Sequence, residues 1–207
     1  MTRGRVREFD AGAALDQAVE LFWRQGYEGT SVAQLTAAMG INPPSLYAAF
    51  GSKRELFSAA TDRFIEGRKH YLERALAEPT AWSAARQFLV GTAEAATEPG
   101  RPAGCFTVQA AMACSDTDRE VALAMAERRL ATRLAMQRRF EQAVAGGDLA
   151  SGTDCVALGR YVTTVAEGIN VQAASGAGRE ELLGVAETAM IGMPGREARQ
   201  PAAEAIR

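Results

Sequence analysis

Cysteine and histidine, two side chains often used as nucleophiles, general bases or ligands of transition metals, are scarce in this chain. The sequence has three cysteines, Cys105, Cys114 and Cys155, and one histidine, His70. The cysteines are too few and too scattered for a zinc ribbon or a disulfide framework. One histidine leaves almost no material for a histidine metal site or for Ser-His-Asp catalysis. We therefore predict a protein that is not an enzyme and that uses no metal and no cofactor.

Cys105 is the cysteine for which a reactive role can be argued. It follows Gly104 at the start of a predicted helix, where the helix dipole favours a thiolate, as in sensors of oxidants or electrophiles. Its neighbours Phe106 and Val108 are apolar, which suits a buried and unreactive thiol. Both interpretations stay open from the sequence.

The composition is that of an ordinary soluble globular protein, since 47% of the 207 residues are hydrophobic and 23% are charged. No apolar run approaches the roughly 18 residues of a membrane span, and the start, MTRGRVREFD, lacks the apolar core of a signal peptide. We predict a cytoplasmic protein without a membrane partner. The net charge is −2, but Arg3, Arg5 and Arg7 precede the first acidic residue, so positive charge is concentrated locally.

Two short helices joined by a tight turn are predicted between Ser31 and Phe50. Ser31 and Gln34 have the spacing of a capping box, and apolar residues then recur at helical spacing until Gly40. Asn42 can cap a second helix that opens with two prolines, whose missing amide hydrogens would have no partner there. This is the helix-turn-helix arrangement. The outer side of the second helix has no long or charged side chain and could enter a major groove about 12 Å wide.

The stretch from Gly26 to Phe57, GYEGTSVAQLTAAMGINPPSLYAAFGSKRELF, resembles the DNA-binding domain of the TetR/AcrR family of bacterial transcriptional regulators. The order of features matches: a Gly-aromatic turn, Thr-Ser, a Gly-aliphatic turn, Leu-Tyr-x-x-Phe in the recognition helix, and Ser-Lys-x-x-Leu-Phe opening the fourth helix. The resemblance covers roughly the first 60 residues, and the remainder carries no comparable motif.

The resemblance implies which residues contact DNA. Phosphate contacts would come from Thr30, Ser31, Tyr47 and Lys53, helped by the free amides at the start of the second helix. An alternative for Tyr47 is that its ring only packs on the small core. The residues expected to face base edges are Gln34, Asn42, Pro43, Pro44, Ser45 and Ala48. In a dimer of this kind, Arg3 and Arg5 would enter the neighbouring minor groove, unless the arm of residues 1–9 is a frayed terminus.

The sequence departs from the common family pattern in the recognition helix. Pro43 and Pro44 stand where many relatives have a Lys-Gly or similar pair, and Ala48 or Ala49 stands where many have Tyr or His. Few side chains then offer hydrogen bonds at the groove. We expect contact with thymine methyl groups and sequence-dependent DNA shape to carry more of the specificity.

The whole chain is predicted to be all-α, with about nine helices. Breaks are expected at Pro79, at the loop of residues 98–104, at Gly146 and at residues 175–178. The expected helices after the recognition helix start at Ser52, Thr80 or Ser83, Cys105, Asp116 or Thr117, Thr153, and after Gly178. We assign residues 1–51 to the DNA-binding domain, 52–193 to an effector-binding and dimerisation domain, and 194–207 to a disordered tail.

The last two helices are the predicted site of dimerisation. Their apolar residues fall at alternating three- and four-residue steps, which is typical of a packed helix pair. These residues could also close the core of one chain, but the resemblance favours a two-fold four-helix interface. The residues assigned to it are Leu158, Val162, Val165, Ile169, Leu182, Val185 and Ala189.

The resemblance also implies a pocket for a small and largely apolar effector, between the long fourth helix and the helices around residues 80 to 145. For each candidate residue, ordinary core packing is the alternative. The expected wall residues are Phe64, Trp82, Phe88, Cys105, Phe106, Met112 and Met136, with Arg86 and Gln109 as polar anchors.

The sequence thus predicts a homodimeric repressor that binds a near-palindromic double-stranded DNA operator and is released by a small molecule. Its two recognition helices would enter successive major grooves roughly 34 Å or more apart. Two other interpretations are a thiol-based redox or electrophile sensor that uses Cys105, and a helical interaction protein that does not bind DNA.

Overall fold

The computed structural model describes residues 10–112 and 118–195, and within these ranges it contains nine α-helices and no strand. The helices are α1 Ala11–Gln25, α2 Val32–Met39, α3 Pro43–Phe50, α4 Lys53–Ala77, α5 Ala81–Ala96, α6 Phe106–Met112, α7 Arg119–Ala145, α8 Cys155–Ala174 and α9 Arg179–Met190. The predicted all-α fold is confirmed. Arg3, Arg5 and the predicted tail from residue 196 onward lie outside the described residues.

Side-chain caps set the starts of the first four helices. The Asp10 carboxylate accepts hydrogen bonds at the start of α1, Ser31 and Gln34 form a reciprocal capping box on α2, and Asn42 and Ser52 cap α3 and α4. Each cap satisfies an amide that has no partner inside its own helix. Because this chemistry is local, the predicted starts of α2, α3 and α4 agree with the structure.

The predicted starts of α5 at Thr80 and of α9 after Gly178 also agree with the structure, whereas α8 starts later than predicted. α7 follows Asp118, which makes no side-chain cap bond, whereas the sequence predicts a cap at Asp116 or Thr117; both of these residues lie outside the described ranges. α8 begins after Asp154, whose carboxylate accepts a hydrogen bond from the amide of Ala157 at 2.9 Å. The predicted start at Thr153 was therefore one residue too early.

The core of the helix-turn-helix unit extends beyond the first three helices. Phe22, Leu35 and Leu46 pack with the first half of α4, and Phe106 of α6 and Val121 of α7 join the same cluster. The rings of Phe57 and Phe106 stack with their centroids 5.3 Å apart. The DNA-binding unit is thus joined to later helices by buried aromatic contacts as well as by α4.

A second core joins α5, α7, α8 and α9 to the far end of α4. Gly159 allows α7 and α8 to approach closely, since a Cβ there would lie 3.3 Å from the backbone of Gln137. Four residues assigned to the dimer interface, Leu158, Val162, Ile169 and Leu182, are buried in this core within a single chain. That assignment was wrong, because these side chains close the core of one subunit and leave no surface for a partner.

Within the described ranges, no helix is both long and apolar enough to cross a membrane.

Candidate nucleic-acid interface and effector cavity

The outer face of α3 is open to solvent. Asn42, Pro43, Pro44 and Ala48 are exposed, and Tyr47 is 49% exposed, while Leu46 on the opposite side is fully buried. The periodicity of the helix explains this division, because Leu46 lies in the core where α3 packs against α2 and α4, whereas Tyr47 points away. The alternative in which the Tyr47 ring packs on the core does not fit this exposure.

Ser45 is half-buried, and its amide donates to the Asn42 side chain at 2.9 Å. The cap therefore engages the side-chain oxygen of Asn42, whose side-chain amide group still carries two N–H donors.

The start of α2 differs from the prediction at two residues. Thr30 is fully buried, and its hydroxyl donates to the carbonyl oxygen of Gly26 at 2.7 Å, so this side chain cannot reach a phosphate. The Gln34 amide oxygen accepts from the amide and the hydroxyl of Ser31, and its nitrogen donates to Gln25 at 3.1 Å. Gln34 is thus committed to the capping box and does not fit a role at base edges, whereas Ser31 remains exposed.

Lys53 lies at the start of α4, directly after the recognition helix. Its Nζ is 4.2 Å from the centre of the Tyr27 ring, which is a cation–π contact. Partial burial lowers the pKa of Lys53 from its ordinary value, and the carboxylates of Asp118 and Glu28 act in the opposite direction. The ammonium is held in place beside α3, as a positioned phosphate contact requires.

A cavity of about 300 Å³ lies between the two cores, surrounded by α4 to α8 and the residues just before α6. Phe64, Phe88 and Cys105 line it, as the sequence predicts. The Cys105 sulfur is half-buried and lies 3.2 Å from the Thr107 hydroxyl. The helices that enclose the cavity are those expected, with the addition of α8.

Four of the predicted pocket residues lie elsewhere. Phe106 and Met136 are fully buried in the two cores, and Trp82 packs against the second core. Arg86 points away and pairs with Glu187 of α9. These predictions were wrong because a large apolar or charged side chain indicates burial or pairing without indicating which partner surrounds it.

Gln109 does not line the cavity either, and its amide oxygen is buried without a hydrogen-bond partner among the described residues. Met112 ends α6, and its side chain lies outside what the structure describes.

Several polar residues of the cavity were missed by sequence reasoning. Arg68 and Tyr71 lie on the same face of α4 as Phe64, and that helical spacing is a signal that could have identified them. Burial raises the pKa of Tyr71 to about 12, and its hydroxyl contacts Thr92. The other missed residues with polar side chains are Lys69, Thr92, Thr107, Arg128, Arg129, Thr132, Thr163, Glu167 and Asn170.

Among the residues that the structure describes, no group of three or more His, Cys, Asp or Glu side chains could hold a metal ion. The polar groups of the cavity are instead guanidinium, ammonium, hydroxyl and amide groups with one carboxylate, that of Glu167, and they suit an organic ligand.

Comparison with known proteins identifies the fold. A family model described as bacterial regulatory proteins, tetR family, matches residues 14–60. The HTH-type transcriptional repressor ComR of Escherichia coli K12 is 33% identical over 191 residues, which cover 91% of each chain. The chain belongs to the TetR family.

Further TetR-family relatives agree. A cysteine mutant of the regulator CifR, complexed with a 26-bp double-strand operator DNA, is 38% identical; the match has a TM-score of 0.88 and covers 92% of this chain and all of that one. The E. coli repressor BdcR is 48% identical over 62 residues, which are 30% of this chain and 32% of BdcR. The protein of 207 residues is thus, like these relatives, a DNA-binding regulator of transcription.

Proposed function

We propose that this protein is a dimeric repressor that leaves its operator when a small molecule occupies the cavity between α4 and α8. The observation that carries the proposal is the recognition helix, whose slim outer face is exposed beside Lys53 while α4 runs directly from it to the cavity. One rigid element therefore touches both the DNA-binding unit and the ligand site.

The proposed DNA contacts follow from exposure. The Tyr47 hydroxyl, the Lys53 ammonium and the Ser31 end of α2 would bind phosphates and set the register of α3 in the major groove. Pro43, Pro44, Ser45, Ala48 and the Asn42 amide would face base edges. Apolar contact with thymine methyl groups and DNA shape would supply most of the discrimination, since only two of these side chains form hydrogen bonds.

Two such helices are needed to read a near-palindromic operator, and we place the dimer interface on the outer faces of α8 and α9. Val185 is 45% exposed, Tyr161 is 38% exposed, and Val165 and Ala189 are half-buried in the single chain. The Tyr161 hydroxyl donates to the Ala189 carbonyl oxygen at 2.6 Å and fixes the two helices as one surface. Glycines at 168 and 184 are exposed nearby and permit close helix packing.

Release would follow from linkage between the two sites. Phe64 lines the cavity, stacks on Phe106 at 5.3 Å, and Phe106 stacks in turn on Phe57 below the helix-turn-helix unit. A ligand that moves Phe64 or tilts α4 changes the position of α3. It shifts the equilibrium only by its difference in affinity between the two states, typically about 1–3 kcal/mol.

Titration of the purified protein with labelled DNA flanking its own gene tests the proposal. We expect a sequence-selective complex that weakens steeply with salt and contains one dimer per operator. Binding of equal strength to shuffled DNA of the same composition would contradict it.

A second candidate function is a response to oxidants or electrophiles through Cys105, because this half-buried thiol lines the cavity. Mass spectrometry after mild peroxide treatment measures the oxidation of Cys105. Comparison of operator release by the unaltered protein and by Cys105→Ser tests whether this oxidation controls release. Unchanged release in the variant would remove it.

A further inference from the structure

The charge around the cavity is uneven. Four of the lining side chains are cationic, those of Arg68, Lys69, Arg128 and Arg129, and only Glu167 is anionic. This excess of positive charge does not suit a purely apolar ligand, because such a ligand would remove charged groups from water without pairing them.

Two of the four cations are neutralised at the rim. Lys69 Nζ lies 2.5 Å from a carboxylate oxygen of Glu66, and Arg128 Nη2 lies 2.6 Å from a carboxylate oxygen of Asp62. These pairs are exposed to solvent and need no further partner.

Arg68 is the most buried of the four cations, yet no carboxylate in the described part of the chain lies within hydrogen-bond distance of its guanidinium. Its side chain is 11% exposed, and its nearest carboxylate, that of Glu98, is 3.7 Å away and is shared with Arg101. Nη2 donates to the Ala95 carbonyl oxygen at 2.9 Å, while Nε is buried without a hydrogen-bond partner among the described residues. Burial lowers the pKa of Arg68, but a guanidinium stays protonated in proteins.

Arg129 lies across the same cavity on α7 and is also paired loosely. Its Nη1 donates to the Thr107 carbonyl oxygen at 2.7 Å, and its Nε lies 3.7 Å from Glu167. Two guanidinium groups that stay charged thus border one cavity, and the nearest carboxylate oxygen of the described residues to each is 3.7 Å away, beyond hydrogen-bond distance.

The other walls of the cavity are apolar. The rings of Phe64 and Phe88 and the side chains of Leu72 and Val108 line it. The volume is at the small end of the range for ligand pockets.

We propose that the cavity binds a small organic acid whose carboxylate pairs with Arg68 and Arg129 and whose apolar body lies against Phe64 and Phe88. The sequence predicts a largely apolar effector, and the structure adds a negative head group to it. The identification of this acid as the effector rests on the proposed function, whereas its binding does not.

The contacts of Arg68 also provide a readout of binding. The guanidinium lies 4.8 Å from the centre of the Trp23 ring of α1 and 5.1 Å from that of Phe64. A carboxylate that draws the guanidinium away weakens this cation–π contact and changes the indole fluorescence. Trp82 is the only other tryptophan, so the variant Trp82→Phe isolates the signal.

The test uses the full-length chain and two matched pairs of probes: phenylacetate with phenylacetamide, and octanoate with octanamide. Calorimetry and Trp23 fluorescence in the Trp82→Phe background measure binding without DNA. We expect each acid to bind at least about tenfold more tightly than its neutral amide, because charge-assisted hydrogen bonds are the stronger ones. Amides that bind as tightly as the acids, or no binding by either acid, would overturn the proposal.

Arg68→Gln should weaken binding of the acids by about tenfold to a hundredfold and leave the amides unchanged. Arg86→Gln is the matched control, since Arg86 pairs with Glu187 outside the cavity. If Arg68→Gln does not fold, Arg129→Gln and the comparison of acid with amide on the unaltered chain still decide the question. Equal loss in Arg68→Gln and Arg86→Gln would contradict the assignment.

Operator binding separates this inference from the proposed function. Tight binding of an acid without any change in operator affinity would refute effector release and leave the ligand class standing. An operator complex that forms normally while no acid binds would refute the ligand class alone.

Discussion

Lys53 has two structural roles. It stands beside the recognition helix, where a cation can meet a phosphate, and its ammonium lies over the Tyr27 ring within the helix-turn-helix core. Phosphate contacts fix position without reading sequence, whereas hydroxyl groups at the groove can read it. Lys53 and Ser45 should therefore respond differently to substitution.

We predict that Lys53→Ala weakens binding to every operator alike and lowers the salt slope by about one unit for each subunit. Ser45→Ala should instead change the base preference modestly and leave the slope unchanged. Fluorescence anisotropy on a panel of operator variants at several salt concentrations measures both effects.

Lys53→Arg is the control for charge, because it retains the cation and its contact with the Tyr27 ring. Losses of equal size in Lys53→Ala and Ser45→Ala across the whole panel would contradict this division of roles.

At the scale of the element, Gly104 holds the loop before α6 against α8. Its φ is +84°, and a Cβ there would lie 2.8 Å from the carbonyl oxygen of Asn170. We expect Gly104→Ala to lower the free energy of unfolding by about 2–4 kcal/mol, because left-handed strain and a backbone clash add together. Urea denaturation at fixed protein concentration measures this loss.

Gly100 is the matched control in the same loop. Its φ is +80°, and a Cβ added there would have no atom of the described residues within 4 Å. Gly100→Ala should cost only the backbone strain, about 1 kcal/mol. If both variants lose the same stability, the close approach to α8 contributes nothing.

Asp16 of α1 and Arg63 of α4 form a two-bond ion pair at 2.8 and 3.0 Å. The hydrogen bond from Arg63 lowers the pKa of Asp16 from its ordinary value of 3.8. The stabilisation is therefore complete above that value and is lost as the pH falls through the lower folded pKa. We predict that Asp16→Asn lowers the melting temperature at pH 7 and that this difference shrinks below about pH 4.

Glu20→Gln serves as the comparison, because Glu20 pairs with Arg24 inside α1 and does not link two helices. Melting curves that stay the same distance apart from pH 7 to pH 3 would contradict the role of Asp16.

Helix starts could be predicted from the sequence because capping is local. The capping box of Ser31 and Gln34 requires only a spacing of three residues, and Asn42 followed by two prolines is a local signal for the start of a helix. The cavity could not be predicted to the same extent. Arg68 borders it because α4 packs against α5 and α6, and those contacts are far apart in sequence.

At the scale of the whole molecule, the dimer decides whether two recognition helices can act together. We predict that Val185→Glu yields a monomer at micromolar concentration and abolishes operator binding, because a charge would be buried in the proposed apolar interface. Size-exclusion chromatography with light scattering measures the mass, and anisotropy measures the DNA affinity.

Leu123→Glu is the control for a new surface charge, since Leu123 is 54% exposed on α7. It should remain dimeric and bind DNA. A dimer of normal mass in Val185→Glu would show that the subunits associate through another surface.

The apolar residues of α8 that were wrongly assigned to the dimer interface show a limit of prediction from the sequence. Val162 and Ile169 recur at the steps of a packed helix pair, and they do pack against other helices, but within their own chain. Periodicity identifies an apolar face and does not identify what covers it. Val185 was assigned to the same interface from the same kind of pattern, but it is exposed. Whether a residue is exposed depends on how the whole chain folds.

The length of α4 has a mechanical consequence. Its 25 residues, at a rise of 1.5 Å each, make a rod about 37 Å long. The last residue of α4 that lines the cavity is Leu72, about 28 Å along the helix from Lys53. A pivot of about 7° at Leu72 would carry the Lys53 end through about 3.5 Å, close to the 3.4 Å step between stacked base pairs. Two-fold symmetry would make the partner swing in the opposite sense. A small tilt of α4 at the cavity could thus move both recognition helices out of register with the DNA.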